Sequence, residues 1–227
     1  MPRESKSNRK KRTDTIVALL KAAHPGARSR LDHACGDAIF SLVATILSAQ
    51  CTDNRVNLVC VDLFKKYTCV DDFAAASQEE LEQDIRSTGF YRNKAKNIRG
   101  TAQRILDVYG GVVPDTMDEL LTLPGVARKT ANCVLGNVYG KLEGIVVDTH
   151  VIRLSNRMKL SRESNPTKIE RDLMSLVERE DWALFSHLII FHGRSFCTAR
   201  KTHCDTCPIA PHCPTGEKNS RRTPHHT

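Results

Sequence analysis

The chain has 227 residues, 40% of them hydrophobic and 26% charged, with a formal net charge of +8. This length and balance suit a globular protein with one sizeable core or two smaller ones, and no apolar run approaches the length needed to span a membrane. The positive excess favours a polyanionic partner, nucleic acid above all. Much of it lies in Arg3 to Arg12 and in Lys218 to Arg222, which read as solvated tails.

The apolar spacing is helical almost throughout. Ile16, Leu19 and Leu20 begin one stripe, stopped at Pro25-Gly26. Asp37 is placed to cap a second helix whose Ile39, Phe40, Leu42, Val43, Ile46 and Leu47 are apolar on most sides, so that helix should be buried. Val56, Val59, Cys60, Leu63, Phe64 and Tyr67 make a third stripe. Ser77 and Glu80 form a capping-box pattern, and Gly89 provides a stop. Ile98, Ala102, Ile105, Leu106 and Tyr109 follow, closed by Gly110-Gly111. Thr116 and Glu119 repeat the capping box. Further helices are expected over Val151 to Arg157, after Asn165-Pro166, and from Trp182 to Phe191 with Gly193 as its stop. No strand alternation is evident, and the fold class is all-α.

Between Met117 and Leu135 two helices must form a tight hairpin around Leu123-Pro124-Gly125-Val126-Ala127. Pro124 fixes one dihedral and Gly125 permits a left-handed one, so successive N–H groups are able to point outward at the start of the second helix. A phosphate placed there gains hydrogen bonds and the positive end of the helix dipole. Leu-Pro-Gly alone suggests a turn that only packs. The basic pair Arg128-Lys129 directly after it favours DNA.

Cys197, Cys204, Cys207 and Cys213 are spaced C-x6-C-x2-C-x5-C in a loop with few apolar residues. Four thiolates so close together are able to enclose one metal centre, either a four-iron cluster or a tetrahedral zinc. A pair of disulfides is the plainer alternative, disfavoured by five further cysteines scattered through apolar segments and an odd total of nine.

Leu-Pro-Gly-Val-Ala-Arg-Lys-Thr-Ala-Asn in the hairpin, Val-Asp-Thr-His at 147–150 and the terminal cysteine loop closely resemble the endonuclease III branch of the helix-hairpin-helix DNA glycosylases. Leu-Ser-Ala-Gln-Cys-Thr-Asp at 47–53, Thr-Gly-Phe-Tyr-Arg-Asn-Lys-Ala at 88–95 and His-Gly-Arg at 192–194 extend the resemblance, which runs from about Asp32 to Cys213. It implies a bifunctional glycosylase and AP lyase that removes oxidised pyrimidines from duplex DNA. Lys129 then corresponds to the nucleophile that forms a Schiff base, activated by partial burial and by nearby positive charge, and Asp148 to the catalytic carboxylate. Asp148 also reads as a helix N-cap, and His150 as a neighbour of that site. Gln50 and Phe90 correspond to the residues that fill the gap left by the extruded nucleotide. Each also has a plain structural reading, Gln50 at a helix end and Phe90 in the core. Leu123, Gly125, Ala127 and Arg128 correspond to the phosphate-binding hairpin, and Arg200 and Lys201 to a basic loop that contacts DNA. The four cysteines correspond to the ligands of a [4Fe-4S] cluster.

Two departures stand out: Ala127 where many relatives have glycine, and a slightly longer Lys141 to Gly144 segment. The implied architecture has two domains with a DNA-binding cleft between them: a six-helix domain over 33–141, and a cluster domain from 13–32 and 142–214. Basic disordered tails are expected over 1–12 and 215–227. The expected partner is double-stranded DNA carrying a damaged base or an abasic site, and the expected state is a cytoplasmic, nucleoid-associated monomer. Two other readings compete. An adenine-specific mismatch glycosylase lacks support because no Asp or Glu occurs from Ile39 to Thr52 and Lys129 is present. A non-catalytic DNA-binding module would use the hairpin alone.

Overall fold

The computed structural model describes residues 4–29, 31–32 and 36–216. Its helices are α1 (Lys6–Ala23), α2 (Ala38–Leu47), α3 (Asp53–Lys66), α4 (Val70–Ala75), α5 (Gln78–Asp84), α6 (Tyr91–Tyr109), α7 (Met117–Leu120), α8 (Arg128–Asn137), α9 (Thr149–Arg157), α10 (Pro166–Met174) and α11 (Trp182–Ser195). Among the described residues the only extended pairing is one isolated bridge, Cys197 with Thr202. No helix there is long and apolar enough to cross a membrane. The chain divides into two compact units at Arg28/Ser29 and at Glu143/Gly144.

The central unit is built around α2. Ile39, Leu42, Val43, Ala44, Ile46 and Leu47 are all buried, because α3, α6 and α8 each pack against it. The Asp37 carboxylate accepts from Ile39 N, Thr52 from Arg55 N, Ser77 from Glu80 N and Thr116 from Glu119 N. Each such cap contributes about 1 kcal/mol. The short α4, absent from the expected elements, buries Val70 and Phe73, and Phe73 stacks on Tyr67 at 5.1 Å. Six residues hold too little periodicity to announce a helix.

The other unit joins α1 to α9, α10 and α11 around Ile16, Leu20, Val151, Leu154, Ile169, Leu173, Phe185, Leu188 and Ile189. Two expectations change here. The basic run assigned to a disordered tail over 1–12 lies largely within α1, which is capped by Ser5. Arg9, Lys10 and Arg12 in it have partners. Arg12 forms a two-point pair with Glu4 and donates to the carbonyls of Met158 and His212, and Lys10 meets Glu178 at 2.6 Å. Gly193, expected to stop a helix, lies within α11. A β-carbon there would stand 2.7 Å from His150 Nδ1 and 3.0 Å from Arg153 Nη2, so this glycine serves the close approach of α11 to α9.

The central unit takes in residues 29–32 and 142–143, which were expected with the other domain. Leu31 packs against the central core. Of the C-terminal tail, Thr215 and Gly216 continue a helical turn, while 217–227, including Lys218 to Arg222, lie outside the described residues.

Candidate active site and cysteine cavity

The hairpin turn is buttressed by α6. Gly125 has φ +75°, the left-handed conformation that glycine adopts without penalty. A β-carbon on it would stand 2.6 Å from Asn97 Nδ2. Thr101 Oγ1 donates to Pro124 O at 2.7 Å, and Gly100 faces the Pro124 ring. Ala127 is the N-cap of α8 with φ −92°, so alanine fits that position without strain. The turn closes through Val126 N to Leu123 O, a bond that uses neither the Gly125 nor the Ala127 N–H, and both residues are exposed.

Leu123 departs from its expected role at DNA. Its side chain is buried and its N–H is bonded to Leu120 O, so it supports the turn from below. Arg128 is half-buried, and Lys129, in the first turn of α8, is exposed. The expected partial burial of Lys129 is therefore absent. The helix N-terminus and Arg128 are the local sources of positive potential.

Gln50 and Phe90 are exposed, and both have left-handed backbones, φ 53° and 49°. Phe90 is 62% exposed, which rules out the core reading.

In the other unit Asp148 caps α9, its Oδ1 accepting from Val151 N at 2.8 Å. The segment before it is anchored by the buried Ile145 and Val147 and by the bond from Ser186 Oγ to Val146 O. The bond to Val151 occupies one carboxylate oxygen and leaves the other for chemistry. His150 Nδ1 lies 3.1 Å from Arg153 Nη2. A guanidinium only donates, so that ring nitrogen accepts and Nε2 carries the proton. Burial lowers the pKa of both His150 and His187, while the Asp148 charge opposes the shift in each. His187 was not anticipated, since nothing in its helical spacing distinguishes it from a packing residue.

Cys197, Cys204, Cys207 and Cys213 all line one cavity, with Leu154, Met158 and Ile209 supplying apolar wall. All four are free thiols, which removes the disulfide alternative. Among the described residues no group of three or more His, Cys, Asp or Glu side chains is placed to hold a single metal ion. Four sulfurs around a shared cavity make a donor set that fits a thiolate-bound metal centre. Burial, then the charges of the other three cysteines, push the Cys207 thiol up to about 11, and Cys213 is raised mainly by burial. Such a donor set needs a cationic centre to hold it deprotonated.

Arg157 Nη1 donates to Cys197 Sγ at 3.1 Å and to Thr198 O at 2.7 Å. His192 bridges Cys207 Sγ, at 3.5 Å, and the His24 ring, at 3.3 Å. Thr198 Oγ1 closes a turn onto Lys201 through both its N and its O, leaving Arg200 and Lys201 exposed.

Residues 43–179, more than half of the chain, match the HhH-GPD superfamily of base excision DNA repair proteins. Endonuclease III of Synechocystis sp. is 50% identical over 211 residues, 93% of this chain and 95% of that protein. The chain belongs to the endonuclease III family. Endonuclease III of Bacillus subtilis is 46% identical over 182 residues, covering 80% of this chain and 83% of that protein. Among solved structures, a trapped endonuclease III–DNA covalent intermediate superposes with a TM-score of 0.86 at 40% identity, covering 96% of this chain and 100% of that one. A non-covalent endonuclease III–DNA complex gives 0.85 at 41% identity, covering 93% and 98%.

Proposed function

We propose that this chain is a DNA glycosylase and AP lyase of base excision repair that removes oxidised pyrimidines from duplex DNA, with Lys129 as its nucleophile. The observation that carries this reading is the likeness over the whole length of a chain trapped covalently on DNA. An exposed lysine in the first turn of the helix that follows a phosphate-binding hairpin supports it.

The Lys129 amine attacks the deoxyribose C1′, and the C1′–N bond electrons leave with the base. The aminal so formed loses an amine proton, and its C1′–O4′ bond then opens, O4′ taking up a proton as the nitrogen lone pair forms the C1′=N bond of a protonated Schiff base. Abstraction of a C2′ proton expels the 3′ phosphate by β-elimination. Water returns the free lysine. Because Lys129 is exposed in the protein alone, its desolvation must come from the bound sugar-phosphate. Asp148, held by the Val151 N–H, stabilises the cationic sugar as the base departs and moves protons to and from the amine. Gly125 and Ala127 N–H, with Arg128, grip a backbone phosphate. Arg200 and Lys201 add phosphate contacts, and Gln50 and Phe90 fill the gap behind the flipped nucleotide.

The four cysteines hold a [4Fe-4S] cluster that supplies structural order to the loop bearing Arg200 and Lys201. The donor set and its shared cavity support this. The protein acts as a monomer on double-stranded DNA, in the cytoplasm at the nucleoid.

Borohydride trapping on a duplex with one oxidised pyrimidine tests the reading. A covalent adduct that vanishes in Lys129→Gln is expected. No adduct across a panel of oxidised pyrimidines would leave only a DNA-binding module. Iron and sulfide analysis with visible absorbance tests the cluster, and stoichiometric zinc in its place would overturn it.

A further inference from the structure

Lys94 is a lysine on an apolar stripe. It precedes Ile98, Ala102 and Ile105 on α6, and its side chain is 4% exposed. The ammonium donates to Leu47 O at 2.8 Å and to Thr88 O at 2.9 Å. Leu47 is the last residue of α2, and Thr88 ends the 3-10 turn Arg86–Thr88. The charge therefore sits at the C-terminal ends of two helical segments, where carbonyls lack intrahelical donors and the backbone dipoles favour a cation. Burial lowers the Lys94 pKa, so the location is costly and the two carbonyls offset it.

What those ends carry is specific. Gln50 lies three residues beyond Leu47, and Phe90 two beyond Thr88. Gln50 and Phe90, with Lys159, are the non-glycine residues with positive φ among the described residues. A left-handed backbone costs roughly 1–2 kcal/mol at a non-glycine residue and persists only where its surroundings hold it. Lys94 also donates its own main-chain N–H to Phe90 O at 3.1 Å, so one residue clamps the Phe90 turn from both sides.

We propose that Lys94 is a positioning residue for opening the duplex: by tying the end of α2 to the turn before α6 it holds Gln50 and Phe90 exposed and ready to replace the extruded nucleotide. The inference rests on the glycosylase reading above. It concerns base extrusion and not the covalent step, so a substrate whose target base is already unpaired bypasses it.

Single-turnover excision is compared for wild type, Lys94→Met and Lys94→Arg on two DNAs, one with the lesion paired and one with the same lesion in an unpaired bubble. Opening a pair costs a few kcal/mol, so Lys94→Met should lose about tenfold or more on the paired DNA and little on the bubble. Lys94→Arg, which keeps the charge, should fall between. A fluorescent base beside the lesion should show slower unstacking in Lys94→Met. Equal losses on both DNAs, or none on either, overturn the inference while the glycosylase reading survives. If Lys94→Met does not fold, the same ratio in Lys94→Arg decides: a selective loss on paired DNA supports the clamp and an equal loss removes it. A wild type inert on both DNAs removes the glycosylase reading itself.

Discussion

Asn97 occupies the space that a side chain at Gly125 would need, because a β-carbon built there lies 2.6 Å from Asn97 Nδ2 at a backbone φ of +75°. Gly125→Ala therefore meets a steric and a conformational penalty together, about 1–2 kcal/mol from the left-handed backbone alone. The expected result is a lower urea midpoint and weaker binding to a duplex with an abasic analogue. Adding Asn97→Ala should recover only the steric part. Unchanged DNA affinity in Gly125→Ala would show that the turn geometry does not grip phosphate.

Gly193 gives a similar case in the other unit, with a helical backbone and no φ penalty. Its missing side chain leaves room for His150 and Arg153. Gly193→Ala should force α9 and α11 apart and cost about 1–3 kcal/mol by overpacking. Denaturant unfolding measures it, and a loss below about 0.5 kcal/mol would mean that the two side chains simply swing aside.

Glu4 and Arg12 test whether the chain before residue 13 is structural. The Arg12 hydrogen bond, more than its charge, holds the Glu4 carboxyl below the usual carboxylate range, against a smaller desolvation effect. A carboxylate with a depressed folded pKa adds stability above its unfolded pKa, and loses it as pH falls through the folded value. Melting temperature should thus fall less steeply below about pH 4.5 in Glu4→Gln than in wild type. Removing residues 1–12, harmless for a tail, should lower the melting temperature at neutral pH by several degrees. An unchanged melt would restore the tail reading.

Arg157 connects α9 to the cysteine loop through Cys197 Sγ and the carbonyls of Thr198 and Ala199. A charge-assisted hydrogen bond to a partly buried sulfur is worth about 1.5–3 kcal/mol. With a [4Fe-4S] cluster in the cavity, Arg157→Leu should bleach faster than wild type in visible absorbance under a chelator, and Arg157→Lys should bleach at an intermediate rate. Arg200→Ala, on the exposed tip of the same loop, should weaken DNA binding without altering the bleaching. Equal bleaching of wild type and Arg157→Leu would refute the protective bond.

Much of this was legible in one dimension because it is local. Asp37, Ser77, Thr116 and Asn165 announce helix starts by their own side chains, and the four cysteines lie within 17 residues of chain. Lys129 and Asp148 came from motif resemblance, since neither a lysine after a turn nor an N-cap aspartate is distinctive alone. The misreadings of Arg12 and Gly193 were about partners. Arg12 looked solvated because Met158 and His212 are distant in sequence, and Gly193 looked like a helix stop because its reason, His150, is on another helix.

By itself the sequence determined the all-α class, the hairpin with its obligatory glycine, and the set of thiols available for a metal, because helix periodicity, capping and turn chemistry depend on residues within a few positions of one another. Only the tertiary structure decided that the first basic run is a docked helix, that Leu123 is core, that Phe90 is exposed, and that Lys94 spends a buried charge on two loop-bearing carbonyls. Those outcomes depend on which distant group fills a space or accepts a proton, and no local pattern encodes that.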